Sequence, residues 1–106
     1  MRIFLTFGLN PPSIEVTNRQ LETLLGISGI PRDSINKGEY YTYGDYGSER
    51  VSLMRNLDPE DGDFIVSEAR QFSHLVFISN VSPDSPWITK LQAVPGLTLI
   101  RRREFA

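Results

Sequence analysis

The four tyrosines of the chain all lie between positions 40 and 46, in a segment where acidic residues alternate with the rings. Tyrosine presents a rigid, amphipathic ring with a hydrogen-bonding tip, and it is enriched where proteins contact partners. The alternative is an ordinary strand in which each ring lies partly on the core. We predict a contact surface for a basic protein partner, formed by Glu39, Tyr41, Tyr43, Asp45, Tyr46 and Glu49.

A second set of polar side chains follows two apolar runs, at residues 2–7 and 75–78. Ligands of open α/β sheets bind at the carboxyl ends of parallel strands, often beside a helix N-terminus. The same residue types also simply turn and cap the chain, and neither GxGxxG nor GxxxxGK[ST] is present. If the two runs are parallel neighbours, a small-molecule crevice forms from Thr6, Asn10, Ser79, Asn80 and Ser82, with Trp87 as a wall.

Three further patterns favour structure over chemistry. His74 is the only histidine and has no nucleophile or carboxylate at a useful spacing, so it is interpreted as structural. The acids of 58–63 begin a helix better than they fill a calcium loop, because the first and third ligand positions would be Leu57 and Pro59. Lys37-Gly38 does not begin the aromatic motif of RNA-recognition sheets, because Glu39 stands where an aromatic residue is required.

Charge is unevenly distributed along the chain. Residues 33–68 carry nine acids and three cations, a net charge of −6, whereas residues 85–106 carry four cations and one acid, a net charge of +3. The acidic bulk argues against a nucleic-acid partner. Arg101, Arg102 and Arg103 alternate faces on a strand, where they bind an anion or simply guard a sheet edge.

The periodicity predicts one α/β domain over residues 1–106 in the order β-α-β-β-α-β-α-β. It has three helices: the first is capped by Thr17 or Asn18 and ended by Gly26, and the second runs over residues 58–73. Residues 27–38 form a surface connection. A strand–helix–strand unit spans 74–100, with Ser85 as the helix cap. The five strands form a mixed sheet and cover 2–7, 39–43, 50–56, 75–78 and 97–100.

These patterns favour a non-catalytic protein-binding module over an enzyme. An acidic, aromatic surface on a small domain suits an immunity-like or antitoxin-like inhibitor of a basic protein, by analogy of charge and size. The alternative is a small-molecule binder or minor enzyme that uses the crevice. No cofactor or metal site is expected, and no apolar run is long enough to span a bilayer. The absence of cysteine and of a signal-peptide pattern fits a cytoplasmic protein.

Overall fold

The computed structural model describes residues 1–45 and 48–105. Within them the chain forms six strands and two α-helices, together with a short 3₁₀ turn at Ser67–Ala69. In chain order these elements are β1 (Arg2–Leu9), α1 (Ile14–Leu25), β2 (Ile30–Ser34), β3 (Gly38–Gly44), β4 (Arg50–Arg55), β5 (His74–Val81), α2 (Pro86–Leu91) and β6 (Thr98–Phe105).

The six strands form one sheet in the order β2-β3-β4-β5-β1-β6, and every neighbouring pair is antiparallel. The prediction of helices and strands in one domain is confirmed. The predicted mixed sheet of about five strands with three helices is wrong in its counts and its direction. β5 and β6 do run parallel, but β1 lies between them and pairs with both. The predicted strand–helix–strand unit is therefore present, but β1 is inserted between its two strands.

The cap of helix α1 is Ser13, four residues before Thr17, so the predicted cap at Thr17 or Asn18 is wrong. The Ser13 hydroxyl accepts a hydrogen bond from the Val16 N–H at 3.3 Å, which satisfies one of the free donors of the first turn. Thr17 is fully buried inside the helix. The predicted stop is confirmed, because Gly26 adopts a left-handed conformation with φ of 71° and caps the helix.

The helix predicted over residues 58–73 is absent, and this prediction is wrong. Instead, the Asp58, Asp61 and Asp63 carboxylates accept hydrogen bonds from backbone N–H groups one or two residues ahead. Such local bonds compete with helix formation. Residues 57–73 therefore form an irregular segment, which we call the strap, that crosses one end of the sheet.

Residues 27–38 were predicted to be a surface connection, but they contain β2 at the edge of the sheet. β2 has no buried residue, so it lacks the alternation of apolar and polar residues that marks a strand in a sequence. Pro31 lies within it and is tolerated because an edge strand need not donate from every N–H.

The main core lies between the helices and one face of the sheet. Alternate residues of β1, from Ile3 to Leu9, point toward α1 and α2 and are buried. Ile14, Leu21 and Leu25 of α1 and Leu91 of α2 close the core from the other side. A smaller cluster under the strap contains Met54, Val66, Ala69 and Leu75.

Candidate binding face

Strand register assigns each strand residue to one of two faces. The open face is the face of the sheet opposite the helices. Residues paired directly across antiparallel strands share a face, so one row of the open face can be followed across the whole sheet. That row runs Ile30, Thr42, Ser52, Phe77, Thr6 and Arg101.

Arginine is concentrated on the open face. Arg103 is paired with Phe4, Arg101 with Thr6, and Arg50 with Ser79, all on this side of the sheet. The described strands place no acid there, because Asp33, Glu39 and Glu104 belong to the helix-side registers. The strand arginines of the open face are Arg2, Arg32, Arg50, Arg101 and Arg103.

The strap covers only one end of the open face. Met54 and Leu75 are buried beneath it, and the Phe72 ring of the strap lies against Gly8 of β1. A Cβ at Gly8 would collide with that ring, so glycine permits the close approach. Glu68 of the strap forms an ion pair with Arg101. The strap does not reach the opposite end of the open face, toward Arg50 and Phe4, which we call the uncovered end because no described helix or strap residue lies over it.

A cavity of about 440 Å³ extends over the open face from Phe4 and Arg50 at the uncovered end to Tyr40, which packs against the cluster under the strap. The Lys37 ammonium lies 5.0 Å from the centroid of the Tyr40 ring, so a cation and an aromatic ring line the same wall. Asn80 has φ of 59° near the point where the β1–β5 register shifts, a bulge of the kind common beside binding sites. The lining residues are Phe4, Lys37, Tyr40, Ser48, Arg50, Ser52, Ser79 and Asn80.

This cavity has the chemistry of an anion site with an aromatic wall. Lys37 and Arg50 supply positive charge, and the hydroxyls of Ser52 and Ser79 supply hydrogen-bond donors, whereas the Ser48 hydroxyl donates to the Asp45 carbonyl. No acidic side chain is among the described residues that line it. Guanidinium and ammonium groups form strong, charge-assisted hydrogen bonds with phosphate or carboxylate oxygens.

The predicted tyrosine surface is divided by the structure. Tyr43 is fully buried in the main core, and its hydroxyl donates a hydrogen bond to the Asn18 Oδ1 at 2.6 Å. Burial, reinforced by the charge of Glu22, raises the Tyr43 pKa well above its usual value. Tyr43 therefore belongs to the core and is withdrawn from the predicted surface. Tyr46 lies outside the described residues.

The other members of that prediction remain accessible at the surface. Tyr41 is half-buried against the core, Glu39 and Asp45 are exposed, and Glu49 is half-buried. Glu39 and Tyr41 lie on the helix side of β3, while Asp45 and Glu49 flank the turn at its far end. Their role in binding a partner stays a prediction.

The predicted crevice is not formed, because β1 and β5 are antiparallel and their carboxyl ends lie at opposite edges of the sheet. Asn10 instead binds the strap, accepting from the Ser73 N–H at 2.7 Å. Thr6 lies mid-strand, paired with Phe77.

The remaining crevice residues lie elsewhere. Ser79 and Asn80 line the open-face cavity, and Trp87 lies beside Gly44. The Ser82 hydroxyl donates to Asp84, which lowers the pKa of that carboxyl. The predicted cap at Ser85 is confirmed, since its hydroxyl accepts from the Trp87 N–H at 3.3 Å.

His74 does not lie in an assembled catalytic set. Its Nδ1 is 2.7 Å from the Ser73 hydroxyl, and burial, with a smaller contribution from Arg55, lowers its pKa. Among residues 1–45 and 48–105, no cluster of three or more potential metal ligands occurs. A groove of about 450 Å³ between α1 and the turn after α2 has Arg19 as its one charged lining residue in the described chain, so it offers less chemistry than the open face.

The sequence patterns did not predict that Lys37, Arg50 and Phe4 line one cavity. One signal was available: Arg50, Ser52 and Met54 alternate with buried Val51 and Leu53, which marks a second face on β4. The partners of that face come from strands far apart in the chain, so only the register unites them.

None of the described helices has the length and apolarity needed to cross a bilayer. The comparisons with known proteins give no further guide to the open face. No family model, no curated protein and no solved structure matches this chain.

Proposed function

We propose that this protein is a non-catalytic binding module that engages an anionic partner through the uncovered end of the open face. One observation carries the proposal: the described strands place five arginines and no acid on the open face, and Arg2, Arg50 and Arg103 lie toward its uncovered end, whereas Arg101 pairs with Glu68 of the strap. Like charges on one face repel each other, and binding an anionic partner relieves this repulsion.

The proposal departs from the basic partner expected from the sequence. The net charge of −6 over residues 33–68 combines groups that the sheet separates. Asp33 and Glu39 face the helix side, whereas Arg50 of the same segment faces the cavity. A partner meets one face at a time, so the charge of that face governs which partner binds.

We expect the protein to bind polyanions saturably at low salt and to release them as salt screens the charges. The probes are fluorescently labelled heparin, poly-glutamate and a single-stranded oligonucleotide, measured by anisotropy. Lys37→Gln/Arg103→Gln removes two open-face cations and should weaken at least one of these complexes about tenfold.

The matched control is Arg19→Gln/Lys90→Gln, which removes the same charges from exposed positions on the helix side. It should leave binding within about twofold of the natural protein, as expected for charges distant from the contact. Equal weakening by the two variants would show that only net charge matters. That result, or no binding to any polyanion, would contradict the proposal.

A second candidate surface keeps the basic protein partner in view. Asp33 and Glu39 are directly opposite on β2 and β3, and both are exposed. Facing like charges destabilise a sheet. Neither carboxylate forms an ion pair with another described residue, which makes this pair a contact for a cationic partner beside Tyr41.

Neutralising this pair should stabilise the fold. Asp33→Asn or Glu39→Gln alone removes the repulsion, so each single variant should gain about 0.2–1 kcal/mol in free energy of unfolding. The double variant should gain no more than the better single variant, because the interaction is already gone. Urea unfolding measures all three variants. Additive gains, or a loss in either single variant, would show that the two carboxylates do not repel each other.

A further inference from the structure

We infer that the anionic partner of the open face is a single-stranded nucleic acid, and that the cavity holds one of its nucleotides. This inference rests on the proposed function and names its partner class. Positive charge alone would suit any polyanion. The aromatic rings beside these cations favour a polyanion that carries planar bases, because bases stack on such rings.

Aromatic and cationic side chains alternate across the uncovered end of the open face. Arg2 is paired with Phe105 and Arg103 with Phe4, and the Phe4 and Phe105 rings meet edge to face with centroids 4.8 Å apart. Phe105 is 46% exposed. Bases stack on such rings while guanidinium groups hold the phosphates, and this combination is typical of sheets that bind single strands.

The cavity has the parts that a nucleotide requires. Phe4 and Tyr40 belong to strands three apart in the sheet order, which separates the two strands by roughly 14 Å at the usual spacing, and Tyr40 is level with Gly8, further along β1 than Phe4. Ser52 and Ser79 lie on the two strands between them and supply hydroxyls. A base stacked on either ring contacts one of these hydroxyls, and its phosphate lies toward Lys37 or Arg50.

A duplex fits this face poorly. The grooves of a double helix admit an α-helix or a two-stranded ribbon, whereas the cavity spans four strands of a six-stranded sheet. Bases within a duplex are stacked on each other and cannot reach Phe4 or Tyr40. The carboxylates of an acidic protein would pair with the cations, but they would not stack on the Phe4 and Tyr40 rings as bases do.

The test compares four probes of matched length by anisotropy: a single-stranded oligonucleotide of about 12 residues, its abasic counterpart, its duplex, and poly-glutamate. The single strand should bind at least about fivefold more tightly than the abasic strand for each base stacked. If the abasic strand or poly-glutamate binds as tightly, the nucleic-acid inference is overturned while the proposed function stands. Equal or tighter duplex binding also overturns the inference, and no binding to any probe defeats both.

Ring variants supply the site-specific readout. Phe4→Leu and Tyr40→Leu keep an apolar side chain but remove the ring, and should each weaken the single strand at least about fivefold without changing the abasic strand. Phe64→Leu is the matched control, because this exposed ring lies on the strap and lines a neighbouring cavity, with Lys37, but not this one. Lys37→Gln/Arg103→Gln should lower the salt slope by about 1.4, or about 0.7 for each lost phosphate contact. An unchanged salt slope, or an equal loss of single-strand affinity in Phe64→Leu, would overturn the placement of a nucleotide in this cavity.

Discussion

Asn56→Ala should reduce the free energy of unfolding by about 3 kcal/mol or more. Asn56 is 2% exposed, at the junction of β4 and the strap. The two hydrogens of its amide nitrogen are shared among the carbonyls of Val66, Ala69 and Phe72 at 3.0–3.3 Å, and its oxygen accepts from the Val66 N–H at 2.8 Å. Each such bond contributes about 1 kcal/mol, and the buried groups left unpaired add to the cost.

Urea unfolding measures this effect, with Asn36→Ala as the control at an exposed turn position. Asn56→Asp keeps the shape but replaces the donor by an oxygen that faces three carbonyls. Burial beside these carbonyls raises the pKa of the introduced carboxyl, so the folded state favours its protonated form. The stability of this variant should therefore recover below about pH 4 and fall as pH rises. A loss below about 1 kcal/mol for Asn56→Ala would show that the strap is held by its apolar contacts alone.

The role of Asn56 could not be predicted from the sequence, because its partners lie ten to sixteen residues away in a segment without regular structure. Asp58-Pro59-Glu60-Asp61 favours a helix start, yet the same carboxylates satisfy backbone N–H groups in tight turns. A helix N-terminus and a series of tight turns therefore use the same residue types, and the sequence does not distinguish them. The Asn56 amide is the additional contact that anchors the turns to the sheet.

Sequence patterns predicted correctly those features that depend on interactions between residues close together in the chain. The cap at Ser85 and the stop at Gly26 depend on one or two residues, and both are present. Strand order depends on contacts across the whole chain, such as β1 between β5 and β6. A sequence with two apolar runs does not state whether they run parallel or antiparallel, and the predicted crevice depended on that choice.

The candidate binding face illustrates the same limit in terms of charge. Asp33 and Arg32 are adjacent in sequence but face opposite sides of β2. The alternation of a strand separates their charges by face, while a count along the chain adds them together. The excess of arginine on the open face is visible only once the register is known.

Tyr43→Ala should be one of the most destabilising single substitutions in this chain, costing about 3–5 kcal/mol, as for other large aromatic residues removed from a core. Tyr43 has no exposed surface and packs among the residues between α1 and the sheet. Gly29 permits this packing, since a Cβ there would contact Asn18 and the Tyr43 ring. A binding defect in this variant would therefore report lost folding and say nothing about a contact surface.

Tyr43→Phe isolates the hydroxyl from the ring. It removes the bond to the Asn18 Oδ1 and should cost about 1–2 kcal/mol. Tyr41→Phe is the matched control, because the Tyr41 hydroxyl has no hydrogen-bond partner among residues 1–45 and 48–105; we expect a change within about 0.5 kcal/mol. Urea unfolding of both variants at neutral pH makes the comparison. Equal losses would contradict a specific role for the buried hydroxyl.

The same hydroxyl predicts a pH dependence with a definite sign. Burial raises the pKa of Tyr43 in the folded protein above its ordinary value of 10.0, so the unfolded chain releases this proton first. The stabilisation is complete below about pH 10 and is lost as pH rises toward the folded-state pKa. Tyr43→Phe should flatten this alkaline loss, while Tyr41→Phe should retain it. Unfolding at pH 8 and pH 11 distinguishes the two, and an identical alkaline loss in both variants would assign the titration to another group.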